Sequence, residues 1–366
     1  MPISCAITLN AFMPASMADT LPASVPPFVS VVVPALNCAD DVDGFAAAMR
    51  AQTYPADRFE IIVVDNGSSD GTLERARAAG FVALLRAERG RTRALNTGIS
   101  AARGDFILTT DLSCRAEPGW IRCIVDTFAA HPRAGCVGGE IKLLRTERNA
   151  VIDFQARSDY MSPLLALQRT RLPFMPFADG ANASFRREVF ESIGGFEERF
   201  VKAGDVEICY RMLVLTDYEL VFNRAALMHE PGEPSLRALL HQRFRMGIGW
   251  NLMRMKYPAL YALGARAPFD ARRAWWSARE AACRTGTLLA LNAGAVLGRS
   301  REAAIDADIR QLMSWAQWYG REHGRRWLER QGIRPEPIDR ERLAAFIARP
   351  DPLAGRVTLV DSPTGA

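Results

Sequence analysis

FVSVVVP at residues 28–34 and EIIVVD at residues 60–65 decide the fold. Each is a run of mostly aliphatic residues with little polar alternation, the pattern of a strand buried on both faces. Between them, residues 40–51 read as an amphipathic helix. NGSSDG at 66–71 is turn chemistry, followed by a short helix over 72–79 and a third strand over 81–86. Residues 91–103 form a helix with Ala94, Leu95, Gly98 and Ile99 on one face, and DFILTTD at 105–111 is a fourth strand. Pro118 is expected in the first turn of the next helix, where its missing N–H costs nothing. Strands alternating with helices predict an α/β class: a Rossmann-like, mostly parallel sheet flanked by helices. Ligands of such sheets bind beyond the carboxyl ends of the strands, where Asn37, Asp65 and Asp111 fall.

The second half is less regular. It reads as a helix over 151–170, a Pro-bounded loop over 172–177 and a strand over 181–185. A helix over 188–193 is stopped by Gly194-Gly195. A helix over 206–215 and a strand over 218–228 ending at His229 follow. Beyond Pro234 the chain reads as helical, with breaks near Pro258, Pro268 and Gly332.

Composition narrows the class. At 366 residues, 49% hydrophobic and 24% charged, the chain can bury a sizeable core, which excludes wholesale disorder. The net charge of +5 does not by itself imply a nucleic-acid partner, and none is expected. The positive charge is concentrated: between Leu240 and Arg334, Arg and Lys outnumber acids by ten, so the remainder is net acidic. Such a segment suits phosphates or anionic lipid, or is a solvated helical face. The seven cysteines are scattered, with no CxxC pair, which is neither a zinc pattern nor a disulfide framework. They read as reduced, mostly buried residues of a cytoplasmic protein. Residues 1–27 hold no Lys or Arg, so they lack the n-region of a signal peptide and read as a disordered Pro/Ala/Ser-rich segment. The apolar run 287–298 is too short to span a bilayer, which needs about 20 residues.

Five motifs then occur in order: PALN (34–37), EIIVVDNGSSDGT (60–72), RTRALNTGISAARGDFILTTDLS (91–113), GANASFRREVFESIGGFEERF (180–200) and GDVEICYR (204–211). Together they resemble the inverting family 2 glycosyltransferases of the GT-A fold, over roughly residues 28–249. The resemblance implies a GT-A domain at 28–234, with a nucleotide-binding half (28–115) and an acceptor half (116–234). A helical C-terminal region (235–348) and a flexible tail (349–366) follow.

What the resemblance implies for the site can be set against its chemistry. Pro34, Ala35, Asn37, Asp65 and Asn66 would contact the base of a nucleoside-diphosphate sugar, with uridine the family habit; a uracil N–H needs an acceptor oxygen. Asn66 stands where members often carry a second acid. The Asn-Gly-Ser sequence also makes a turn in its own right. Among Arg89, Arg91 and Arg93, Arg93 is the preferred diphosphate partner; an exposed basic helix face is the competing reading. Asp111-Leu112-Ser113 departs from the usual Asp-x-Asp. Asp111 and Ser113 are still placed at the donor, but Ser113 is a poor, neutral metal ligand. A divalent cation, Mn or Mg, is therefore left open: Asp111 and His229 could form a weak site, or arginines such as Arg93 or Arg115 could neutralise the diphosphate instead.

Asp205 matches the catalytic base, which takes the acceptor hydroxyl's proton as it attacks the anomeric carbon. Gly204 replaces the acid usual beside it, and an aspartate before a helix is also a good N-cap. Asp179, Ala181 and Asn182 would border the acceptor: a saccharide, a lipid-linked saccharide or a small molecule. The segment 242–247 resembles a basic stretch that touches the diphosphate. Trp275, Trp276, Trp315, Trp318, Tyr319 and Trp327 lie among arginines. That mixture fits peripheral contact with the inner face of a membrane, or an ordinary helix core. Two other functions compete. One is a catalytically weak, glycosyltransferase-like binding or scaffold protein, motivated by Ser113 and Gly204. The other is a nucleotidyltransferase, disfavoured because the first strand lacks a glycine-rich phosphate loop.

Overall fold

The computed structural model describes residues 25–158, 162–163, 167, 172–263, 292 and 301–361. Trp275, Trp276, the run 287–298, the break at Pro268 and most of the segment 1–27 lie outside the described residues. So does most of the 151–170 helix, of which residues 150–157 are seen.

The two opening strands form as expected: β1 (Val29–Ala35) and β2 (Phe59–Asp65) pair in parallel, Ala35 level with Asp65. α1 (Val42–Arg50) and α2 (Thr72–Ala78) link them to β3 (Val82–Leu85). α3 (Arg91–Ala101) leads into β4 (Phe106–Thr109), and β5 (Arg115–Ala116) precedes α4 (Trp120–Ala130). Pro118 lies in the turn just before α4 rather than in its first turn. β6 (Ala134–Leu144), α5 (Ala150–Arg157), β7 (Ala183–Arg186) and α6 (Arg187–Ile193) follow. Next come α7 (Gly204–Leu215) and β8 (Glu219–Pro231). The nine-stranded sheet runs β3-β2-β1-β4-β7-β6-β8-β5, with β9 (Val357–Val360) beside β8. Most pairings are parallel; β7 is antiparallel to both β4 and β6, and β5 to β8. Adjacent residues of β1 feed opposite faces. Val31 and Val33 pack with Phe45, Met49, Trp120 and Phe128, and Val32 packs with Leu95, Phe185 and Ile208. Both faces are dry, which is why the strand reads as continuously apolar.

The sequence offers no strand signal over β6, because its interior is glycine. A Cβ on Gly138 would stand 2.8 Å from the Phe222 ring, and one on Gly139 would collide with the Ala226 carbonyl and the Asn182 amide. The strand needs those glycines so that β8 and the 179–182 loop can close on it.

The helices after Pro234 are α8 (Leu236–Lys256), α9 (Pro258–Ala262), α10 (Arg301–Arg330) and α11 (Arg340–Ala348). α8 and α10 cross at glycines: a side chain on Gly247 or Gly320 would strike the facing backbone. The end of α8 is tied to α7 inside the core. Lys256 Nζ lies 3.2 Å from both Glu197 and Glu207, and Arg211 adds a contact of 3.1 Å to Glu207, which has no exposed surface. The tail read as flexible from the sequence contains a strand. Arg356 is buried, and its guanidinium donates to the carbonyls of Leu213, Thr216 and Tyr218, which docks β9 on β8.

Candidate active site

Asp205 is the second residue of α7 and not its cap; that position belongs to Ala203. Ala203 is a non-glycine residue at φ 65, which strains the backbone just ahead of Asp205. The carboxylate of Asp205 is held from both sides: from outside the helix the Gly180 N–H donates to Oδ2 at 3.1 Å, and within it the Val206 N–H donates to Oδ1 at 3.0 Å. The absent acid at 204 has a packing reason. A Cβ there would lie 2.8 Å from the Thr92 methyl, so α3 and α7 can meet this closely only over a glycine.

Arg91 opens α3 and reaches across the site. Its Nη2 donates to Asp111 Oδ1 at 2.7 Å and to the Gly180 carbonyl at 3.3 Å, while 42% of its side chain stays exposed. Burial works against its charge, but Asp111 first, then Asp205 and Asp179, raise its pKa above the usual value. Arg93 turns the other way, since two positions on a helix differ by about 200°. Its Nε lies 3.4 Å from Glu198, and it lines a separate cavity of about 430 Å³ with Glu197, Arg199 and Glu336. Arg115 is spent on the carbonyls of Leu112 and Cys114 and on packing over Gly44. Of the arginines singled out in the sequence, Arg91 is therefore the one the fold brings to Asp111, Asp179 and Asp205.

Two residues that sequence reasoning missed, Glu230 and Lys202, join this cluster. Burial, then Asp179 and Asp111, push the Glu230 carboxyl up to about 8; burial, then Asp205, push Asp179 up to about 6. The positive charges of Lys202 and Arg91 pull both back down. The available signal was strand alternation: His229 and Glu230 are neighbours on β8, so they face opposite sides. Glu230 faces the carboxylates. His229 faces Glu117, with Nε2 2.9 Å from Oε1.

That geometry does not fit a divalent cation. Asp111 is neutralised by Arg91, Ser113 is neutral, and His229 is engaged by Glu117 rather than brought to Asp111. Among the described residues no three His, Cys, Asp or Glu side chains gather as a ligand set.

At the other strand ends the fold builds a hydrogen-bonded rim. Asp65 accepts from the Ser68 hydroxyl and, at 3.2 Å, from the Ser68 amide. Asn37, at φ 53, accepts from the Ser69 N–H at 2.9 Å. Pro34 and Ala35 end β1 beside this rim. Asn66 has no polar atom to spare. Its Nδ2 donates to the carbonyls of Arg86 and Glu88, and its Oδ1 accepts from the Gly90 N–H at 2.5 Å. It holds the loop that delivers Arg91 instead of facing a base. Asn182 is likewise consumed. It is fully buried, accepts from Trp120 Nε1 at 2.8 Å, and donates to the carbonyls of Glu140 and Ala226. Ala181 is buried beside it, so of the three residues expected at the acceptor only Asp179 remains partly exposed.

Residues 30–194 match the Glycosyl transferase family 2 model. The chain carries a family 2 glycosyltransferase domain. This transferase is 29% identical over 249 residues to glycosyltransferase AglE of Haloferax volcanii, covering 65% of this chain and 79% of that one. It is 26% identical over 189 residues to the glucosyl-dolichyl phosphate glucuronosyltransferase of the same organism, covering 46% and 58%. Its fold is the GT-A fold of mannosyltransferase PcManGT from Pyrobaculum calidifontis, solved with GDP-Man and Mn2+. That likeness has a TM-score of 0.52 at 22% identity and covers 82% of this chain and 85% of that one.

Proposed function

We propose that the transferase is inverting and that Asp205 is its general base. An acceptor hydroxyl oxygen attacks the anomeric carbon of a nucleoside-diphosphate sugar. The new C–O bond forms as the bond to the diphosphate breaks, the diphosphate leaves with the electron pair, and the proton passes to Asp205. The observation that carries this reading is the Gly180–Asp205 contact. It fixes a carboxylate in the first turn of α7, across the site from the Arg91–Asp111 pair, so base and leaving-group ends are linked through one residue, Gly180. The donor is proposed to be a uridine diphosphate sugar, its base lying on Pro34, Ala35, Asn37 and Asp65. Product analysis of a panel of UDP- and GDP-sugars, with and without a lipid-phosphate glycoside acceptor, tests this. An α-linked donor must give a β-linked product, and retention of configuration would refute the mechanism.

A lipid-linked acceptor is the proposed class, with an anionic lipid surface as the place where it is met. The glucuronosyltransferase relative is named for such an acceptor. On α10, Trp315, Trp318 and Tyr319 are each at least half exposed, and Arg321, Arg325, Arg326 and Arg330 follow against only Glu322 and Glu329. Exposed tryptophans beside arginines suit the headgroup layer. No helix among the described residues is long and apolar enough to cross a membrane. Co-sedimentation should occur with vesicles containing phosphatidylglycerol, and Trp315→Ser/Trp318→Ser should abolish it. Equal recovery with neutral vesicles would contradict the charge argument.

A further inference from the structure

We propose that Arg91 takes the place of the divalent cation as the diphosphate partner in this chain, its guanidinium donating hydrogen bonds to the phosphate oxygens of the donor. The assignment rests on the donor reading above.

Three observations converge on it. The side chain opens an eleven-residue helix, whose N-terminus adds a favourable field for an anion. Its recorded bonds all leave through Nη2, to Asp111 and Gly180, and nearly half of the side chain is exposed. A planar fork held at one nitrogen keeps donors for two phosphate oxygens, a geometry that Lys lacks. Finally, the metal's own ligands are missing: Ser113 carries no charge, Asp111 is already paired, and His229 belongs to Glu117.

The surrounding residues are arranged for this substitution. Asn66 spends its amide on the carbonyls of Arg86 and Glu88, which fixes the loop that ends at Gly90, immediately before Arg91. A carboxylate at 66 could not donate to either carbonyl. Gly180 leaves just enough room, since a Cβ there would stand 3.0 Å from Nη1. Asn66 and Ser113 thus act together at the donor. One anchors a resident cation and the other gives up the ligand that an incoming cation would need.

Calorimetry of UDP and GDP binding, in EDTA and in Mn2+, for the wild type, Arg91→Met and Arg91→Lys is the test. The wild type should bind its nucleotide in EDTA within about threefold of its affinity in Mn2+. Arg91→Met should lose about 10–100-fold in EDTA, with Arg91→Lys between the two. Affinity for the free nucleoside should be the same in all three proteins, which separates loss of a phosphate contact from loss of fold. Mn2+ tightening the wild type more than about tenfold, with Arg91→Met unchanged in EDTA, would overturn the proposal. Failure of both UDP and GDP to bind under either condition would instead overturn the donor reading, and this assignment with it.

Discussion

Gly180 and Asp205 are joined by a hydrogen bond of 3.1 Å from the glycine N–H to the carboxylate. The same glycine's carbonyl accepts from Arg91 and, at 3.1 Å, from the Thr109 hydroxyl. One glycine thus sits between the carboxylate proposed to deprotonate the acceptor and the cation proposed to receive the diphosphate. A shift of this loop would move both groups at once.

Asn182 should prove structural. Its side chain joins Trp120 to the backbone of β6 and β8 with no exposed surface. Asn182→Ala strands three buried polar groups, at about 1–3 kcal/mol each before relaxation, so urea unfolding should show a loss of at least about 2 kcal/mol. An unchanged midpoint together with a raised acceptor KM would return this residue to the acceptor site.

Placing an acid at position 66 should damage this protein. Asn66→Asp removes both donations to Arg86 and Glu88 and sets a carboxylate against two carbonyl oxygens. Nucleotide affinity in EDTA should fall about tenfold as the 86–90 loop loosens and Arg91 loses its register. Unchanged affinity would show that this loop does not position Arg91.

The carboxylate cluster should leave a pH signature. Asp179 has its pKa raised to about 6, above an unfolded value of about 3.9, so the folded state holds the extra proton between those values. Its contribution is therefore most favourable below about pH 4 and declines as pH rises through about 6. Asp179→Asn keeps an acceptor oxygen for the Ala181 N–H and removes the titration. Relative to wild type, its melting temperature should rise by roughly 1–3 °C between about pH 4 and 7. A difference that is flat with pH would contradict the assignment.

The fold was legible wherever burial on two faces left its mark. β1, β2 and β4 carry apolar runs that admit few other readings. β6 was hidden, because close approach to Phe222 and Asn182 demands glycine where a strand signal would need a branched residue. β9 was hidden because a single arginine, Arg356, anchors it over carbonyls remote in sequence. In the site, the motif resemblance set Asp111 at the donor and Asp205 as the base, but in the choice between Arg91 and Arg93 it preferred Arg93. Helix rotation decides that, and it turns Arg93 toward Glu198. Asn66 and Asn182 looked like ligand contacts because a buried amide that uses every polar atom has the same letter as one that faces a substrate. Glu230 and Lys202 had no motif to announce them; they reach the cluster only because β8 and the loop before α7 end beside it.

The most direct measurement is the rate of sugar transfer by Asp205→Asn, including transfer to water, with nucleotide binding measured on the same sample. Asparagine preserves an acceptor oxygen for the Gly180 N–H and cannot take the proton. The rate should fall about 10²–10⁴-fold while nucleotide affinity stays within about threefold of wild type. Near-wild-type turnover by the variant would contradict the assignment of Asp205 as the base.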